Sequence, residues 1–345
     1  MKTPTGETLK LLRVEDAVGK RLAMDYTIVT PDQKGALKRR GEVLETRDVE
    51  VMKANGHYYV YVLDDEEEST EEVFETDAAI SLASSITSGN LVVEASEEGK
   101  ALVRAGEDGL FIVNSEGLRV VNESGLLVVI TRRNGVFVRK GDVVAVVDVV
   151  PLKVPRAVLE DLLNKTRPYN PVLALIPSAR PRVGVLVVGT EIVEGLKRDK
   201  ASGIIVKKLA EYNCSPSRVL YARDDEKEIA HKIEELLEDS EAVIAVGGMS
   251  VDPTDRTPVA IRMVADTVVA YGIPIKPTTM SMVAYKGDKA IIGVSSGVIH
   301  FPDLNFLDII LPWVSSKARV PREHIVRLGE GGLTDYYLEK MKKRI

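Results

Sequence analysis

The sequence predicts an α/β protein. Its C-terminal part, residues 181–320, is expected to be a three-layer α/β/α domain with a mostly parallel sheet, preceded by smaller mixed and β-rich domains. Three observations carry that expectation. Uninterrupted apolar runs, Val183–Val188, Ala242–Val246 and Ala290–Val294, alternate with helical segments, and strands apolar on both faces belong in parallel sheets covered by helices on both sides. The chain has 345 residues, enough for two or three domains with buried cores. Its composition is that of a globular protein, 45% hydrophobic and 28% charged.

Residues 1–65 read as a small α+β segment. Arg13–Gly19 predicts a helical turn closed by glycine, Val49–Gly56 a helix stopped by Asn55-Gly56, and His57–Leu63 a strand. Asp64–Glu72, almost wholly acidic or small and polar, marks a boundary. Residues 66–150 are expected to join a helix to a β-rich barrel or sandwich. Val73–Thr87 has helical periodicity, with Ala79, Leu82, Ala83 and Ile86 on one face. Leu91–Ala95, Gly109–Val113 and Leu126–Ile130 are strand-like, Asn134-Gly135 signals a hairpin, and Lys140-Gly141-Asp142 a turn between two strands.

Residues 151–180 carry five prolines without a long periodic run and read as a proline-rich linker. Beyond it, helices are expected at Ala201–Glu211, Glu226–Leu237, Thr257–Ala265 and Asp303–Trp313, with a further strand at Val219–Tyr221. Pro258 falls in the first turn of its helix, where proline is favoured. Residues 321–345 form a C-terminal extension.

Composition excludes several functions. A formal net charge of −6 argues against nucleic-acid binding. Cys214 is the only cysteine, so neither a disulfide framework nor a cysteine metal site is expected. His57, His231, His300 and His324 have no metal-ligand spacing. No Gly-x-Gly-x-x-Gly follows a strand, which argues against a dehydrogenase. No apolar leader follows the first lysine and no apolar run approaches about 18 residues, so the protein is expected to be cytoplasmic, without a membrane partner.

In a parallel sheet, ligands gather beyond the carboxyl ends of the strands, and three such ends are candidates. After the first strand come Gly189, Thr190 and Glu191, then Asp199, Ser202 and Gly203 entering a helix. After the third come Gly247, Gly248, Met249, Ser250, Asp252, Asp255, Thr257 and Pro258. After the last come Ser295, Ser296 and Gly297, with Lys276 upstream. Glycines permit positive φ and close backbone approach to a phosphate. Paired aspartates repel unless a cation or donor lies between them. Taken singly, the same residues equally suit capped turns, a helix N-terminus capped by Asp255 or Thr257, and a plain surface lysine.

Gly247-Gly248 followed by Pro253-Thr254-Asp255-Arg256-Thr257-Pro258 resembles the molybdopterin-binding domain shared by molybdopterin adenylyltransferases and molybdopterin molybdotransferases, the molybdenum insertases. Adenylyltransferases carry Gly-Gly-Thr-Gly followed by Pro-x-Asp-x-Thr-Pro. Asp199, Ser202 and Gly203 resemble that family's Asp-x-Ser-Gly turn with one residue inserted. Gly189-Thr190-Glu191 and Ser250-Val251 are closer to the insertase pattern. Val14–Gly19, Arg40-Gly41, Gly99-Lys100 and Leu328–Leu333 look like long prokaryotic molybdopterin-binding proteins. The insertases' Leu-Pro-Gly-Asn-Pro loop is replaced here by Val294–Val298.

The resemblance implies a protein of molybdenum cofactor biosynthesis that binds molybdopterin or its adenylate, with a transferase activity. It implies magnesium-assisted molybdate insertion, with Asp199, Asp252 and Asp255 holding the metal and acting as catalytic carboxylates. The glycines, hydroxyls and Lys276 would hold the pterin phosphate. A homodimer and contacts with other cofactor-biosynthesis or molybdoenzyme proteins are implied as well. A non-catalytic carrier or sensor of the cofactor is the alternative, and a nucleotide pyrophosphatase a third, since competence-damage proteins share this domain.

Overall fold

The computed structural model describes residues 10–29, 34–63, 71–96, 99–250 and 255–343. Two compact units are present. One comprises residues up to Glu107 with Phe111–Asn134 and Val138–Leu175; the other comprises Asp108–Leu110, Gly135–Phe137 and everything from Ile176 onward. Among the described residues no helix is long and apolar enough to cross a membrane.

The first unit begins with the expected small α+β segment. Val14–Ala17 is a 3-10 turn, Asp48–Ala54 a helix, and Lys10–Arg13 pairs antiparallel with Tyr59–Val62. Asn55 caps that helix and Gly56 follows at φ 86°, the left-handed ending expected of Asn-Gly. Val14, Leu22, Leu44, Met52 and Val60 form a core of their own. Most of the acidic boundary lies outside the described residues.

The helix read from periodicity runs Glu75–Ile86 and buries Ala78, Ala79, Leu82, Ala83 and Ile86. It packs on a four-stranded antiparallel sheet in the order Leu91–Ser96, Lys100–Ala105, Val143–Val149, Leu127–Thr131. This open sheet with a helix against it replaces the expected barrel or sandwich. The hairpin expectation also needs correcting. Gly135 has φ 82°, so the turn forms, but Leu127–Thr131 pairs with Val143–Val149 and not with the strand that follows the turn. Asn-Gly fixes a local reversal; burial of each strand's apolar side decides its partner. Within the proline-rich stretch, Arg156–Thr166 is a helix burying Leu159 and Leu162, because its prolines flank that run without interrupting it.

Glu75 begins the long helix under unusual conditions. Gly99, at φ 71°, lies against the Glu75 side chain, which occupies the space a Cβ would take. The Arg40 guanidinium stacks 3.3 Å over the neighbouring Phe74 ring. Burial lifts the Glu75 carboxyl to about 7, with the Asp25 carboxylate adding to the rise and Arg40 opposing it. An unfolded glutamate releases its proton near 4.5, so folding takes up a proton between that pH and about 7. Stability is therefore expected to fall as pH rises through this window and to be restored below it. Glu75→Gln should remove that part of the fall and raise the urea midpoint at pH 8 above wild type. Parallel midpoints for the two proteins from pH 4.5 to 8 would contradict the assignment.

In the second unit, a six-stranded sheet is built from β1 (Arg182–Val188), β2 (Ser215–Ala222), β3 (Ala242–Val246), β4 (Thr267–Tyr271), β5 (Met282–Lys286) and β6 (Lys289–Val294), ordered β2-β1-β3-β6-β5-β4. The first four of that order are parallel, and β5 and β4 are added antiparallel. Helices α1 (Ala201–Glu211), α2 (Glu226–Asp239) and α3 (Thr257–Val264) connect successive strands, and α4 (Phe306–Ser315) follows β6. Leu186, Val243 and Ile291 of the sheet share a core with Ile233 of α2 and Ile261 of α3. This is the three-layer domain expected.

Candidate functional site

The chain leaves β1 toward β2 on one side and returns to β3 on the other. That reversal opens a crevice beyond the carboxyl ends of β1 and β3, the usual ligand position in an open α/β sheet. The loop after β6 reaches the same edge. So does the loop 272–281, because β5 starts at Met282 opposite Gly293, at the carboxyl end of β6.

Gly247 and Gly248 form the floor. Both have positive φ, 101° and 58°. A Cβ on Gly247 would overlap the Val188 carbonyl oxygen, and one on Gly248 would stand 2.7 Å from Thr257 Oγ1 and 3.4 Å from Asp224 Oδ1. Thr257 locks the turn, its hydroxyl donating to Gly247 O (2.8 Å) and its N–H to Gly248 O (3.2 Å). Among the described residues the N–H groups of Gly248 and Met249 have no backbone partner. Adjacent amides presented by a glycine turn are donors suited to an anion.

Several expected ligand contacts are instead internal supports. Met249 is 1% exposed and packs in the core, over Gly293, where a Cβ would come within 2.7 Å of its sulfur. Thr257 and Pro258 are buried in the first turn of α3. Neither Asp255 nor Thr257 caps that helix. The N-cap is Arg256, without a side-chain bond, while Asp255 Oδ2 accepts the Ser250 N–H at 2.8 Å and so closes its own loop. Asp252 lies outside the described residues.

Thr190 has a partner that sequence reasoning missed. Asp224, just after β2, accepts from both the N–H and the hydroxyl of Thr190 through Oδ2 (2.8 and 2.9 Å), and its own N–H donates to Thr190 Oγ1 at 3.1 Å. With Oδ1 beside Gly248, Asp224 joins the ends of β1, β2 and β3. Gly189 is buried, and Glu191 pairs with Lys197 at 3.3 Å. The Glu191 carboxyl is held below its ordinary range, chiefly by its own backbone N–H.

Asp199 is occupied by the start of α1. Oδ1 accepts the N–H groups of Ala201 and Ser202 (2.8 and 3.1 Å), and Oδ2 accepts the Ser202 hydroxyl and the Tyr221 phenol, the latter at 3.2 Å. Partial burial opposes its charge, but those four donors outweigh it and keep the carboxyl below its ordinary range. Gly203 is exposed with open space around it.

On the β6 side, Ser295 is half-buried and Ser296 exposed at a 3-10 turn spanning Ser296–Ile299. A Cβ on Gly297 would sit 3.4 Å from Thr278 Cγ2. Thr278 is buried at φ 69°, a strained conformation for a β-branched residue, and its hydroxyl accepts the Phe306 N–H at 3.0 Å. Lys276 is exposed on the same loop. Gly247 N donates to Val294 O at 3.2 Å, joining this side to the floor. Among the described residues, no group of three or more His, Cys, Asp or Glu stands close enough to hold a metal.

Residues 11–64 match the profile of a domain of unknown function, DUF8806. Comparison with curated proteins gives no match. Solved structures similar to part of the chain include the molybdopterin biosynthesis enzyme MoaB of Thermus thermophilus, at 21% identity and TM-score 0.35, covering 39% of this chain and 91% of that one. The tungsten cofactor synthesizing protein MoaB of Pyrococcus furiosus aligns at 18% identity and TM-score 0.34, covering 44% and 98%. CinA of Thermoplasma acidophilum, a protein of unknown function, aligns at 18% and 0.28, covering 33% and 87%. Residues 184–314, most of the second unit, match the profile of the probable molybdopterin binding domain.

Proposed function

We propose that the chain binds molybdopterin, or its adenylate, in the crevice beyond β1 and β3, within molybdenum cofactor biosynthesis. The observation that supports this reading is the Gly247-Gly248 turn. Its two positive-φ residues lie at the switch point of a domain that matches the family profile. Among the described residues the turn leaves the Gly248 and Met249 N–H groups without a backbone partner, donors suited to a phosphate. Thr190 and Asp224 frame that turn from the β1 side, and the loop 295–297 from the β6 side. Transfer chemistry at this site would be molybdate insertion with cleavage of the adenylate phosphoanhydride and release of AMP.

A carrier that hands the cofactor on is the second reading, and Asp199 favours it. A carboxylate that already accepts four hydrogen bonds has little left for a hard cation that needs oxygen ligands in octahedral array. Asp199 therefore does not fit the role of a magnesium ligand, and on this reading the phosphate is held by backbone, hydroxyl and ammonium donors.

Calorimetric titration with molybdopterin and with its adenylate, each with and without magnesium and molybdate, separates the readings. Tight adenylate binding followed by molybdate-dependent AMP release establishes insertion, and binding without turnover establishes the carrier. Absence of binding to either ligand defeats both. Asp255→Ala opens the loop tied to Ser250 and is expected to weaken adenylate binding about tenfold, the worth of one hydrogen bond to a charged group. Unchanged affinity and turnover in that variant would remove Asp255 from the site.

A further inference from the structure

The β6 side of the crevice is held by chain outside the matched domain. Arg322–Arg327 and Asp335–Lys342 form two further helices, α5 and α6, and the segment between them lies along the loop 272–281. Gly332 makes the closest approach: a Cβ there would overlap the carbonyl oxygens of Pro274 and Leu328. Lys276 N donates to Gly332 O at 2.7 Å, and Thr334 Oγ1 donates to Lys276 O at 2.8 Å while accepting the Tyr337 N–H at the start of α6.

From α6 the contacts pass to the second loop. Tyr336 donates to Asp303 Oδ2 at 2.9 Å, and Phe301 packs against the rings of Tyr336 and Tyr337 with centroids at 6.2 and 5.5 Å. Lys340 stacks 4.9 Å from the Tyr336 ring. The segment thus bonds to both loops that carry the Lys276 and Ser295–Gly297 candidates. Both loops sit at the carboxyl edge of the sheet by the register of β5 and β6.

We propose that residues 328–342 are a working wall of the ligand site, with Gly332, Thr334 and Tyr336 as positioning residues for Lys276 and for the Ser295–Phe301 loop. The inference rests on the pterin-phosphate reading above and extends it. Lys276 and Lys340 ride on the two segments that meet at this rim, so the wall suits the phosphate-bearing end of the ligand, with ammonium groups as its point charges. A glycine at 332 is required because two backbones meet there without room for a side chain.

The test uses the full chain as wild type, Thr334→Val, Thr334→Ser, Tyr336→Phe and Gly332→Ala. Amide hydrogen exchange is followed at Lys276, His300 and Phe301, and at Ala242–Val246 as the internal reference, alongside the Kd for molybdopterin. Tyr336→Phe, which loses a bond to a carboxylate, is expected to speed exchange at the three loop amides by about 10- to 100-fold, and Thr334→Val, which loses a bond to a neutral carbonyl, by about 2- to 10-fold, with the β3 amides unchanged. Affinity should fall about tenfold. Gly332→Ala should do the same, whereas Thr334→Ser keeps the hydroxyl and should keep wild-type exchange and affinity. Unchanged loop exchange overturns the proposal, as does faster exchange with unchanged Kd. A wild-type protein that binds no pterin phosphate is recognised from its own titration, and it defeats the functional reading together with this one.

Discussion

Lys208→Met is expected to cost the second unit about 3–5 kcal/mol, the range for removing one partner of a buried ion pair. Lys208 is 3% exposed. Its ammonium is bonded to Asp308 Oδ1 and donates to Asp303 O at 3.2 Å. Asp308 Oδ1 also accepts the Tyr212 phenol at 3.0 Å, and Oδ2 accepts the Asn305 N–H at 2.7 Å within the capping box that starts α4. Burial, then the Asp308 charge, pushes the Tyr212 phenol far above its ordinary range. One cation thus joins α1 to the N-terminus of α4 and to the segment leading from Ser295. With methionine in its place, Asp308 keeps its charge and loses its counter-ion. Urea midpoints would measure the loss, and Lys208→Met with Asp308→Asn should be milder than Lys208→Met alone, because no uncompensated charge remains. A single-variant loss below about 1 kcal/mol would show that the site opens to water and that the pair is equivalent to a surface one.

That lysine was within reach of the sequence. Ala201, Ile205 and Leu209 mark the buried face of α1, and position 208 falls on it by helical spacing. A lysine on an apolar face calls for a buried anion. What the sequence does not carry is which acid answers, since Asp308 lies 100 residues away. Asp224 fails for a related reason. It stands beside Asp225 and Glu226, and all three read as acidic complement to the start of α2. Asp225 does cap that helix, accepting from Lys227 and Glu228, whereas Asp224 turns the other way to Thr190. Only the tertiary bond tells the two apart.

The fold was legible where burial is two-sided. β3 is apolar throughout, β1 and β6 are apolar after their first residues, Arg182 and Lys289, and the helices between them keep their period. β4 was not seen because it is an edge strand, with Thr267 and Val268 exposed, and β5 because a proline-bearing loop precedes it. The turn after β3 was legible because two glycines directly after a buried strand permit the positive φ that both adopt. The surroundings of the Ser295–Gly297 loop were not legible, because Thr278 beside Gly297 and the contacts of Tyr336 and Tyr337 with Asp303 and Phe301 further along come from distant sequence.

The two glycines singled out from the sequence at positions 203 and 247 should respond to alanine in opposite directions. At Gly247 the methyl group meets the carbonyl oxygen of Val188 at φ 101°. That oxygen belongs to β1, an inner strand paired with β2 and β3, and cannot yield as a side-chain tip would. Backbone strain of about 1–3 kcal/mol and overpacking of about 1–3 kcal/mol combine, so Gly247→Ala is expected to lose about 3–5 kcal/mol and all measurable pterin binding. For a unit of this size that is a fall of roughly 6–20 °C in Tm. Gly203 lies inside α1, and a Cβ there would meet nothing within 4 Å beyond the helix's own backbone, so alanine should stabilise the helix by about 0.5–1 kcal/mol. Its effect on binding is then informative by itself. Weaker molybdopterin binding by a more stable Gly203→Ala protein would mean that the ligand approaches the backbone at that turn, whereas unchanged binding would confine the site to the β1, β3 and β6 loops. A Gly247→Ala protein that melts within about 2 °C of wild type would mean that the turn relaxes without strain, and the floor of the crevice would need another explanation.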